Sequence, residues 1–177
     1  MFKSTIKLLL FPGSILKLLI YVLRGKPDPK DGMTIELSIN NKQHSANLQA
    51  GEQAQFSFRA NQEGWVYFIG MTDTKEAKTR YLLNVAPEDS EGIKLLLKIT
   101  KDQVGKWISL GSFEVGAPFG EERIIAVAAK KDLSLPDFEE GETGLILITE
   151  EITLKNLQNR ANEQGTAISM IQMTTKP

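Results

Sequence analysis

From Met33 onward the apolar residues fall on every second position, and this period of two constrains the fold more than any other feature of the chain. Met33, Ile35, Leu37 and Ile39 alternate with Thr34, Glu36 and Ser38. Successive side chains of an extended strand point to opposite faces, so the spacing gives one apolar and one polar face. Asn40-Asn41 is a turn signal, and it predicts a hairpin returning over residues 44–48. Gly51-Glu52 makes a second break, after which Phe56 and Phe58 alternate with Gln55, Ser57 and Arg59. Asn61 to Gly64 then turns the chain into the run Trp65 to Met71, which is apolar on both faces. A run of that kind predicts a central strand, here hairpinned to the strand before it.

The pattern continues with strands expected at Tyr81–Val85, Ile93–Ile99, Trp107–Val115 and Arg123–Ala129, with Gly111 as a bulge. Leu145 to Ile148 suits a short strand or the start of a helix. Thr149 or Thr153 can cap a helix to about Asn162, with Leu154, Leu157 and Ala161 on one face and Gly165 closing it. Thr166 to Thr174 alternates again and reads as a last strand. The expected fold is mainly β: a β-sandwich-like domain over residues 33–177, with one C-terminal helix covering an open end or edge.

The first 25 residues belong to a different regime. They hold no acidic residue, and their basic residues are Lys3, Lys7, Lys17 and Arg24. Phe2, Leu8, Leu9, Leu10 and Phe11 form one apolar run, which Pro12-Gly13 interrupts. Ser14 can cap a second run containing Ile15, Leu16, Leu18, Leu19, Tyr21, Val22 and Leu23. A secretory signal is disfavoured by the Pro-Gly break, by Lys17 and by the lack of a small-residue cleavage site before Lys26. A single membrane span is disfavoured by Lys17, since a central lysine costs about 3 kcal/mol on insertion scales. The preferred reading is a pair of short apolar helices docking to a membrane surface or a protein, with the lysines reaching to a polar boundary. Packing on the chain's own domain or on a second copy is the alternative. Residues 26–32, with two prolines and four charges, read as a semi-rigid linker. The basic end favours membrane association from the cytoplasmic side over secretion.

Composition removes several kinds of chemistry. The chain has no cysteine and one histidine, so thiol catalysis, disulfide frameworks and multi-histidine metal sites are excluded. Its 21 basic and 22 acidic residues give a net charge of −1, which supplies no general attraction for nucleic acid. His44 and Ser45 are adjacent on an expected strand and so point to opposite faces. Glu88 to Glu91 and Asp137 to Glu142 are acidic clusters without the spacing of a calcium loop. The stretch Leu135, Pro136, Asp137 and Phe138 reads as an exposed, protease-accessible loop. Trp65, Tyr67, Phe68 and Trp107 suit either an aromatic ligand patch or core, with core preferred. No catalytic, cofactor-binding or metal-ligating residue emerges, and the expectation is a non-enzyme with no cofactor.

Leu48 to Phe58, Gly64 to Phe68, Ile108 to Val115 and Ala117 to Val127 follow one another in a distinctive order, the last carrying a Pro-Phe-Gly turn before a strand. On these features residues 47–135 resemble the bacterial domain of unknown function 4384 family. Tyr81 to Pro87 departs from the family pattern. The resemblance implies a small accessory β-sandwich, with no catalytic residues to carry over. It also implies a protein partner such as a caspase-like peptidase. Two functions are thereby set in contest. One is a binding module docked through residues 1–25. The other is a membrane-acting effector whose N-terminal segment a peptidase releases.

Overall fold

The computed structural model describes residues 32–73, 78–85, 93–116, 119–131, 133–141, 146–149, 157 and 166–177. Eleven strands lie among them: β1 (Ile35–Ile39), β2 (Ser45–Gln49), β3 (Gln53–Ala60), β4 (Gly64–Asp73), β5 (Lys78–Leu82), β6 (Leu97–Ile99), β7 (Ile108–Glu114), β8 (Glu121–Ala129), β9 (Phe138–Glu140), β10 (Ile146–Ile148) and β11 (Ala167–Lys176). They form two sheets. The smaller has the order β1-β3-β7, and the larger runs β2-β11-β8-β4-β5-β10-β9, with β6 also on β4.

The period of two accounts for how the sheets pack. Leu37, Phe56 and Phe58 of the small sheet share a core with Val66, Phe68, Ile124, Ala126 and Ile171 of the large one. Phe58 and Phe68 meet across the two sheets edge to face, with ring centroids 5.4 Å apart. The intervening residues of the large sheet, Tyr67, Ile69, Met71, Ile125 and Val127, build a second core on its far face with Leu95, Leu133, Ile146 and Leu157. This explains why β4 and β8 are apolar at nearly every position: each is covered on both sides.

Three expectations are corrected. Asn61–Gly64 does turn the chain, but β3 and β4 do not form a hairpin. They lie in different sheets, with β3 between β1 and β7 and β4 beside β8. Asn40 and Asn41 adopt left-handed conformations with φ of 49° and 64°, as their turn requires. The strand that follows does not return along β1; instead β2 pairs in parallel with β11. The strand expected at 81–85 is displaced to Lys78–Leu82, and the one expected at 93–99 is shortened to Leu97–Ile99, since β5 and β6 share one edge of β4 at its two ends.

The bulge at Gly111 is present. Phe56 pairs with Gly111 and Ser57 with Ser109, which leaves Leu110 as the extra residue, and Gly111 has φ of 116°. Among the described strands β7 pairs on one side only, so the bulge also roughens an open edge. The helix expected up to Asn162 falls outside the described residues, apart from Leu157, which is helical and buried.

Candidate functional site

The end of the domain where the N-terminal segment joins is tightly built. The Gly32 carbonyl accepts hydrogen bonds from Asn61 Nδ2 at 3.0 Å and Gln62 Nε2 at 2.8 Å. Asn61 Oδ1 in turn accepts the Thr34 N–H at 2.6 Å. The β3–β4 turn therefore grips the chain at Gly32, where the described residues begin. Beside it lies a shallow, open depression lined by Gln62, Glu63, Lys101, Val104 and Lys130. Its wall includes the 100–106 loop, closed by a Gly105 N–H donated to the Ala60 carbonyl at 2.8 Å. Gln103 Oε1 accepts from the Thr100 N–H at 2.9 Å. The Thr100 hydroxyl beside Asp102 holds that exposed carboxyl below its ordinary range.

On the outer face of the small sheet, Glu36 Oε2 and Arg59 Nη2 are 2.8 Å apart. The Arg59 guanidinium also sits 4.9 Å from the ring centroid of Trp107, which is 41% exposed. Both charged side chains are substantially exposed, so this pair orders the face more than it stabilises the fold.

A third cluster lies on the inner face of the large sheet. Tyr81 is opposite Gly70, and Thr72 is opposite Glu122. The Tyr81 ring occupies the space over Gly70, where an added Cβ would stand 2.1 Å from it. Burial, then the Glu122 charge, push the Tyr81 hydroxyl up to about 12 against a lowering hydrogen bond with Thr72. Burial also raises Glu122. A tyrosine that keeps its proton to that pH is a hydrogen-bond donor rather than a proton shuttle at neutral pH.

The sign of the resulting pH dependence follows. Glu122 binds its proton more tightly folded than unfolded, so stability falls as pH rises from the ordinary glutamate range through its raised value. Glu122→Gln removes that slope. The melting temperatures of the two proteins are expected to coincide at about pH 4 and below, and the variant to lie higher at pH 7. The same substitution lowers the Tyr81 titration, read by ultraviolet absorbance. Coincident melting curves across the whole range would refute the assignment.

The other residues singled out by the sequence fall as follows. The apolar contact residues Phe2 to Leu23 and the basic flank from Lys3 to Arg24 lie outside the described residues. Residues 135–137 lie outside any strand, with Asp137 exposed. Leu135 packs on the second core, Pro136 is buried, the Asp137 carbonyl accepts the Thr149 N–H at 2.9 Å, and Phe138 opens edge strand β9, opposite Ile148. Phe138 itself is 46% exposed. His44 and Ser45 are exposed before and at the start of β2. Tyr67 and Phe68 are buried in different cores, so the four aromatics form no patch. The acidic run 88–91 lies outside the described residues. Among those described, no three acidic or histidine side chains cluster as metal ligands, and no helix is long and apolar enough to cross a membrane. The Tyr81–Thr72–Glu122 cluster and the depression beside Gln62 carry no local sequence signal, because strands distant in sequence create both.

No protein-family model matches the chain, and no curated protein or solved structure matches it.

Proposed function

We propose that this chain is a non-enzymatic binding module that docks to a membrane or protein surface through residues 1–25. The observation that carries the reading is the division of the sequence at the linker. Twelve apolar contact residues and four basic ones, from Phe2 to Arg24, precede the first acidic residue, Asp28. Such a segment suits an interfacial anchor whose lysines sit at the polar boundary. The described cores support a separate folded unit, since their members run from Met33 to Met173. We further propose an accessory β-sandwich with one C-terminal helix, akin to the bacterial domain of unknown function 4384 family, lying on the cytoplasmic side of a membrane.

The test is vesicle flotation of the full chain against Leu9→Glu/Leu19→Glu. Two buried leucines contribute about 1.5–3 kcal/mol each, so the double variant is expected to lose at least about 100-fold in partition. Flotation without dye leakage supports anchoring. Leakage that appears only after cleavage by a caspase-like peptidase replaces it with the effector function. Equal flotation of both proteins overturns the reading.

A further inference from the structure

We propose that the lysine-bearing end of the β domain is a docking face for an anionic phospholipid surface, set against it by the segment that enters there. This rests on the membrane form of the docking reading above.

The register shows which loops meet. Gly64 is opposite Ile99, Trp65 is opposite Ala129, and Phe58 is opposite Ile108. The end of β3, the start of β4, the end of β6, the start of β7 and the end of β8 therefore converge at one end of the domain. Lys98, Lys101, Lys106, Lys130 and Lys131 are all exposed there. The acidic residues among the described positions of the same loops are Glu63 and Asp102. The opposite end, where β3, β5 and β8 begin and β7 finishes, carries Glu52, Glu114, Glu121 and Glu122, balanced by Lys42, Arg80, Arg123 and Lys176. Among the described residues the domain thus has one basic end and one balanced end, although the whole chain has a net charge of only −1. An anionic plane turns such a body lysine end inward.

Two further observations select a lipid surface. Gly32, the first described residue after the apolar segment, is fixed to this same end by Asn61 and Gln62. A body tethered there presents its lysines to whatever its tether enters. Both tryptophans of the chain also stand at this end, each beside a cation: Lys98 Nζ is 5.7 Å from the Trp65 ring centroid, and Arg59 is 4.9 Å from that of Trp107. Tryptophan with a basic neighbour suits the headgroup layer, where the ring is half-solvated and the cation meets phosphate. A single-stranded nucleic acid would instead stack its bases on aromatic faces, and here each ring has a cation against it.

A lysine near an anionic membrane contributes about a fivefold gain in partition. The test compares the full chain with Lys98→Gln/Lys101→Gln/Lys106→Gln on vesicles of phosphatidylcholine alone and of phosphatidylcholine with about 30% phosphatidylglycerol, an anionic surface. Lys42→Gln/Lys176→Gln, at exposed sites away from this end, is the control, and circular dichroism melting verifies folding. The expected result is a loss on the order of 100-fold on the anionic vesicles for the triple variant, with neutral vesicles bound unchanged and the control unaffected. Equal loss in the control, or undiminished anionic binding by the triple variant, overturns the docking face while leaving the anchor standing. Loss of neutral-vesicle binding only in Leu9→Glu/Leu19→Glu reports on the anchor separately. Lysine-dependent capture of DNA or of an acidic protein, with no vesicle binding, overturns both.

Discussion

Phe58→Ala is expected to destabilise the domain by about 3–5 kcal/mol, a large part of the roughly 5–15 kcal/mol that holds a typical domain folded. Phe58 lies on β3 and its partner Phe68 on β4, so this contact is central to the core that the two sheets share. Both side chains are fully buried. Truncating one removes apolar contact and leaves a cavity in a closed space, where neighbours on two stiff sheets cannot collapse inward. The edge-to-face geometry adds a coupling of about 0.5–1.5 kcal/mol, which a double-mutant cycle with Phe68→Leu isolates. Urea unfolding is the measurement. A loss below about 1 kcal/mol would mean that the sheets are not held together here.

Gly70→Ala is expected to cost about 1–3 kcal/mol, for the opposite reason: there is no room. The new Cβ would meet the Tyr81 ring at 2.1 Å, and that ring stands opposite Gly70 on β5. The cost belongs to the pair. In a Tyr81→Ala background the same substitution should be nearly neutral or stabilising, because alanine suits a strand better than glycine once the ring is gone. Thermal melts of the four proteins give the cycle. Equal costs in both backgrounds would show that glycine is needed for its backbone instead.

These two effects also mark what sequence could and could not disclose. The alternation around Phe56 and Phe58 announces a strand with one buried face, and the doubly apolar run from Trp65 announces a strand covered on two. Neither says which strand lies beside which. Asn61–Gly64 has the composition of a hairpin turn, yet it carries the chain from one sheet to the other, because turn residues specify a local change of direction and not a partner. Asn40-Asn41 misleads in the same way: the turn forms, and β2 still finds its neighbour at the other end of the chain. Gly111 was legible because a glycine inside an alternating strand has few other uses. The lysine end was not. Its members come from β6, the 100–106 loop and the residues after β8, and only the register makes them neighbours. Residues 135–137 read as a loop because Pro136 and Asp137 are poor strand formers, and they lie outside any strand; the short edge strand β9 begins only at Phe138.

The parallel pairing of β2 with β11 has a consequence in time. Ser45 lies opposite Gln172, so the two strands are separated by most of the chain, and β8 takes its other neighbour from β11 as well. A nascent chain therefore carries β2 and one side of β8 as open edges until residues 167–176 have emerged. Topologies closed by such distant contacts fold slowly, on the order of milliseconds to seconds. The apolar segment at residues 2–23 precedes the domain in the chain, so it leaves the ribosome well before that domain can close. The anchoring proposed for it would have the whole of that interval in which to be established.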